Sequence, residues 1–201
     1  MSEMRRSQLI AGMATSFVVQ TRSVPSTQFV YSSVERRPYD GEWSHFAYSY
    51  GRAFECLWDK CYEETKLHRE SDLIFPLLFI CRQSVELWLK TALAASTVEI
   101  PPLGHSLRRL WNALMQQLEI ETLSINDPFT TSVATLLSTL DAHDDRGDRF
   151  RYPESKDAIP YPSSSANLDD LFRAHYLITT YCEAVYSMAQ ERENCLSDAV
   201  K

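Results

Sequence analysis

Three groups of residues in this 201-residue chain have types and spacings suited to chemistry. Arg82, Glu86 and Lys90 recur every four positions, which places them on one stripe of a helix. Their neighbours are largely apolar, and charges in such a setting are costly unless paired or facing a cleft. The stripe therefore reads either as a salt-bridge ladder at a bundle surface or as part of a ligand site. His105 follows Gly104 and precedes Ser106 at the expected start of a helix. Anions are favoured there and a neutral imidazole over a charged one, so this histidine could move a proton, hold a phosphate or cap the helix. In the segment Asp141 to Pro153, Arg146, Arg149 and Arg151 alternate with acids, and Phe150 and Tyr152 interleave. If extended, Arg149 and Arg151 would face one way and Phe150 and Tyr152 the other. Such a segment would offer two guanidinium groups, or would simply clasp a loop shut.

Other signals are weaker. His143, Asp144 and Asp145 are metal-ligating types, but no second cluster has matching spacing, so neither metal nor cofactor is expected. His175 falls on an apolar seam and reads as a hydrogen-bonded core histidine. No G-x-S-x-G, H-E-x-x-H or P-loop occurs. The chain has only five glycines, none close together, which excludes glycine-rich phosphate loops and most tight-turned barrels. Five cysteines without a C-x-x-C argue against a disulfide framework or zinc site and suit a reducing cytoplasm. Arg5-Arg6 ahead of Leu9 to Val19 faintly resembles an export signal, but Thr15 and Ser16 dilute it, and a cytoplasmic location is expected. No stretch approaches the ~20 apolar residues of a membrane span. The net charge of −7 gives no overall attraction for nucleic acid, although residues 1–40 hold five arginines against three acids.

The elements that must position these residues are helical. Trp43, Phe46, Tyr50, Phe54, Leu57 and Cys61 share one face of a helix from about Asp40 to His68. A second helix, about Ser71 to Ser96, is apolar nearly all round and should be central. A third starts near Ser106 with Leu107, Leu110, Trp111, Leu114 and Leu118. A fourth opens at Asp127-Pro128, an N-cap followed by proline, and Gly147 can close it. Residues 148–166 read as a long loop. A last helix begins at Asn167 and should fray near Glu193. The expected organisation is an arm at 1–39, weakly structured or with short β runs at 16–20 and 28–34, a helical bundle at 40–193 and a flexible tail at 194–201. The fold class is all-α, an antiparallel bundle of about five helices.

Taken in order, Arg82-Gln-Ser-Val-Glu86-Leu-Trp-Leu-Lys90, Gly104-His105-Ser106-Leu107 with Leu110-Trp111, and Asp148-Arg149-Phe150-Arg151-Tyr152-Pro153 resemble the HEPN superfamily (higher eukaryotes and prokaryotes nucleotide-binding). The resemblance covers about Trp43 to Met188. It implies an all-α bundle, frequent homodimers, and roles in RNA biology, bacterial toxin–antitoxin pairs or phage defence. Catalytic HEPN proteins are metal-independent ribonucleases with an R-x4–6-H motif shared between two subunits. That motif is absent here: Arg37 and His45, the nearest pair, have seven residues between them. The resemblance thus implies a binding or interaction module, homodimeric, with RNA, a nucleotide or a protein as partner and no membrane. The alternative is a ribonuclease or nucleotide-acting enzyme with a non-standard site. In either case Arg82, Glu86, Arg149, Arg151 and Tyr152 are the candidate ligand contacts and His105 the candidate catalytic group.

Overall fold

A computed structural model of the chain describes residues 42–66, 72–97, 104–120, 127–144, 146–155, 157–161 and 166–199. The arm at 1–39, its strand-prone runs and Asp40 lie outside the described residues. Among the described residues the elements are five α-helices: α1 (Trp43–Lys66), α2 (Ile74–Ser96), α3 (Leu107–Ile120), α4 (Pro128–His143) and α5 (Leu168–Ala199). The all-α bundle expected from the hydrophobic periodicity is the one observed.

The segment richest in apolar residues becomes the centre. α2 packs against α1, α3 and α5, and α4 closes the circuit against α3 and α5. Val85, Leu89 and Leu93 of α2 meet Leu110 and Leu114 of α3, Leu137 of α4 and Ile178 of α5 in the main core. A second cluster joins Phe54 and Cys61 of α1 to Leu77 and Cys81 of α2. Each fully buried leucine stabilises the bundle by about 1.5–3 kcal/mol relative to exposure. The Trp58 indole donates to the Leu168 carbonyl at 2.7 Å, pinning the start of α5 to α1.

Local chemistry fixes the helix ends. Asp127 accepts from the backbone N–H groups of Phe129 (2.8 Å) and Thr130 (3.0 Å), and Pro128 takes the first helical position. Asn167 accepts from Asp169 and Asp170 in the same way, and those two acids complement the helix dipole. Two ends differ from expectation. α4 stops at His143 and not at Gly147, because Asp144 leaves the helix to meet Arg82. α5 does not fray at Glu193 but continues to Ala199, so the expected tail is helical over most of its length. Strong helix formers such as Glu191, Arg192 and Leu196 carry it on with little burial.

The long loop is ordered where described. Phe150 is buried, and an antiparallel bridge joins Glu154 to Pro160. No described helix is long and apolar enough to cross a membrane.

Candidate functional site

Arg82 is buried at 2% exposure, and it is the junction of three elements. Its Nε donates to the Asp144 carbonyl at the end of α4 (2.9 Å). Its Nη1 donates to Glu86 Oε2 one turn along α2 (3.0 Å), and its Nη2 to the His105 carbonyl just before α3 (2.6 Å). The planar fork of a guanidinium suits this three-way tie. Gly147 makes room for it: a Cβ there would lie 2.9 Å from Arg82 Nη1, and its φ of +74° is one that side chains avoid.

Glu86, at 1% exposure, is the second hub. Its Oε1 accepts from Lys90 Nζ at 2.7 Å and from His105 Nδ1 at 2.9 Å. Burial opposes its ionisation. The hydrogen bonds and charges of Lys90 and His105 outweigh burial and hold its carboxyl below the usual glutamate range. An ionised carboxylate only accepts, so His105 carries a proton on Nδ1. Nε2 is left for other partners. The His105 side chain is 67% exposed despite this anchor.

Two aspartates build the surroundings. Asp144 Oδ1 accepts from the N–H groups of Asp148 (2.9 Å) and Arg149 (3.1 Å), while its Oδ2 lies 3.4 Å from Arg82 Nε. Asp141 Oδ1 accepts from Leu107 N (3.0 Å) and Arg108 N (3.4 Å) at the start of α3. The N-terminus of α3, which sequence marks as an anion site beside His105, is therefore filled by a carboxylate of the protein itself.

The turn after Asp144 sets the arginines. The N–H groups of Arg151 and Tyr152 both donate to the Asp148 carbonyl (3.0 and 3.2 Å), so the segment is a tight turn and not an extended strand. The expected facing of the four residues changes accordingly. Phe150 enters the core, while Tyr152 stands 57% exposed. Arg149 turns to the α4 end and donates to the His143 carbonyl at 2.9 Å. The Arg151 guanidinium lies 5.6 Å from the rings of both Phe79 and Tyr152.

These turns leave an open cleft of about 650 Å³ with His105, Arg146, Arg151 and Tyr152 on its walls, together with Asp148 and Glu154. Asp148 is partly occupied by the Tyr161 hydroxyl, which donates to it at 2.9 Å. The candidate residues thus divide. His105, Arg151 and Tyr152 share the cleft; Arg82 and Glu86 are buried behind His105; Arg149 is tied to α4. The ladder Arg82–Glu86–Lys90 is an ion-pair network, but in the interior and not at the surface. Arg146 gains a place on the cleft wall, and Asp141, Asp144 and Gly147 gain supporting roles. Only the clustering of acids and arginines after Asp141 signals them in the sequence.

Among the described residues no group of three His, Cys, Asp or Glu is arranged to hold a metal, and the Asp144 carboxylate is spent on Arg82 and the following turn. Burial pushes the Cys81 thiol up to about 12 and raises the Cys182 thiol as well, which favours the protonated form of both. His175 is a core histidine, as its place on the seam suggests: Nε2 lies 2.9 Å from Ser84 Oγ and the ring stacks on Phe54 at 4.0 Å.

Comparison with known proteins adds one result. No curated protein and no solved structure gives a match. A family model described as the HEPN domain matches residues 59–201, from within α1 through α5, the region that holds the whole Arg82–Glu86–His105 network and the cleft. An all-α bundle and a match over most of the chain together place this protein in the HEPN domain family.

Proposed function

We propose that this HEPN domain binds a phosphate-bearing ribonucleotide, free or within single-stranded RNA, in the cleft walled by His105, Arg146, Arg151 and Tyr152. One observation carries the reading: the charged side chains fall into two sets. Arg82, Glu86, Asp141 and Asp144 spend their hydrogen bonds inside the protein. His105, Arg146 and Arg151 stand at an open cleft beside an exposed tyrosine. Guanidinium groups suit phosphate oxygens, and an exposed aromatic ring suits an unstacked base. Arg82 and Glu86 serve this site as supports for His105, and Arg149 as the tie between the loop and α4. With a net charge of −7, binding depends on the cleft and not on a broad field, so few phosphates are contacted and the salt dependence is shallow. Fluorescence anisotropy of a short single-stranded RNA tests this. Arg151→Ala and Tyr152→Ala should each weaken binding about five- to tenfold, consistent with ~1–1.4 kcal/mol per contact. Arg173→Ala, on the exposed side of α5, should not. Equal affinities throughout would refute the cleft.

A second reading, metal-independent RNA cleavage, is favoured by the Glu86–His105 hydrogen bond. A carboxylate on Nδ1 orients the imidazole and leaves Nε2 to take the proton of an attacking 2′-hydroxyl. Incubation of a cellular RNA pool with purified protein and chelator separates the readings. Cleavage lost in both His105→Ala and Arg151→Ala would make the cleft an active site. Intact RNA with a well-folded protein would leave the binding module, working in a bacterial defence or toxin–antitoxin setting with RNA or a protein partner. In either reading the working form is a homodimer of the 23.1 kDa chain, which light scattering after size exclusion would check.

A further inference from the structure

Two aromatic residues of α2 continue the stripe of its charge network toward the start of the helix. Phe75, Phe79, Arg82 and Glu86 are spaced by four, three and four residues, so they share one face of α2. Glu86 holds His105 at one end of this stripe, and the Arg151 guanidinium lies 5.6 Å from the Phe79 ring further back. His105 and Arg151 both wall the cleft. Phe75 stands one turn beyond Phe79, a rise of about 6 Å along the helix. It is 48% exposed, and Phe79 is half-buried. Neither is among the described residues that build the two core clusters. Single exposed apolar side chains are common, but Phe75 ends a row that includes Phe79 and, across Arg151, the exposed Tyr152.

We infer that this row is a second base-stacking subsite: the ligand is single-stranded RNA of at least two nucleotides, with one base on Tyr152 and its neighbour on Phe75. The inference rests on the cleft reading above and commits it to a strand over a free nucleotide. The Arg151 guanidinium lies 5.6 Å from the rings of both Phe79 and Tyr152, so one cation serves aromatic surface on two elements. Two successive bases flank one phosphate in the same way, and the unstacked bases of single-stranded RNA lie on aromatic side chains. Residues 72–81 contain no lysine or arginine and include Asp72. This end of the face therefore attracts no further phosphate and contributes through its ring alone. Every base has a π-face, so the subsite is indifferent to sequence. An apolar protein segment would also cover Phe75, but it would make no use of the Arg146 and Arg151 guanidinium groups of the adjoining cleft.

The probes are a 5′-phosphorylated uridine dinucleotide and two analogues, each lacking one of its bases but keeping every phosphate. Isothermal titration of the full chain should show that removing either base weakens binding about fivefold or more, the loss of one stacked base. Phe75→Ala should abolish one of these two penalties and Tyr152→Ala the other. Phe75→Trp should keep both, while Phe75→Leu, apolar but without a ring, should behave as the alanine variant does. The penalty that depends on Phe75 should be the same at low and high salt, because the compared molecules carry equal charge. A penalty for one base only, lost in Tyr152→Ala, would overturn the second subsite and leave the cleft reading standing. Two penalties that both persist in Phe75→Ala would also overturn it, and a fall in mass of that variant on light scattering would then show that a second copy covers the ring. A dinucleotide that does not bind at all would overturn the cleft reading and the subsite together.

Discussion

At the scale of single residues, two buried charges hold the region together, and they are stabilising only as a set. Arg82 and Glu86 are desolvated, and each makes three hydrogen bonds inside the protein. Removing one member leaves the other uncompensated, which typically costs about 3–5 kcal/mol. Arg82→Met should lower stability in urea denaturation by that order, and Arg82→Lys should recover little, because an ammonium cannot reach three acceptors in one plane. Gly147→Ala meets both a left-handed backbone and a Cβ crowded against Arg82, and should cost about 1–3 kcal/mol. His175 gives the fold a defined acid sensitivity. Its folded pKa of about 4 lies below the ordinary 6.5, so between those values the unfolded chain binds the extra proton. Stability is therefore full above about 6.5 and falls as the pH drops toward 4, by roughly 3 kcal/mol in all. Glu86 adds a further loss below about 4.5, because its folded pKa is depressed. Urea midpoints of wild type and His175→Gln at pH 7 and pH 5 would check this, with the variant showing the shallower decline.

At the scale of elements, hydrophobic periodicity was enough to place the helices, while the contacts that join them were hidden. Leu107, Leu110, Trp111, Leu114 and Leu118 mark α3 plainly, and Asp127-Pro128 marks the start of α4. The cap of α3 was not legible, because Asp141 lies on α4, 34 positions from Leu107. Arg82 reads in sequence as one rung of an i,i+4 ladder, yet two of its three acceptors are backbone carbonyls, which no residue type announces. Likewise Arg149 and Arg151 look equivalent until the hydrogen bonds to Asp144 and Asp148 wind the segment into a turn. Two substitutions test the reading of the elements. Asp141→Ala strips the cap from α3 and should cost about 1–2 kcal/mol. Gly51→Ala in the interior of α1 should stabilise by about 0.5–1 kcal/mol, since the added methyl would sit 3.6 Å from Ser84 Oγ, an ordinary contact. Thermal unfolding would register both, with opposite signs.

At the scale of the molecule, the HEPN bundle uses its central helix as a scaffold on which charges are sorted. Those at the centre are neutralised by one another, and they hold His105 by its carbonyl and by Nδ1 while its ring stays accessible. The loop that α4 feeds into is fastened by Phe150 in the core and by Asp144 behind it, and so presents Arg151 and Tyr152 at a fixed place. This arrangement leaves a cleft walled by a few charged and aromatic side chains. The central claim is that a phosphate-bearing ribonucleotide occupies that cleft and meets the free nitrogen of His105. The most direct measurement is the ring ¹⁵N spectrum of histidine-labelled protein during titration with uridine monophosphate. The account predicts that the His105 Nε2 resonance shifts and saturates, while buried His175 stays unmoved and Arg151→Ala weakens the response. A His105 resonance that stays in place while nucleotide saturates another site, or that never responds, would contradict it.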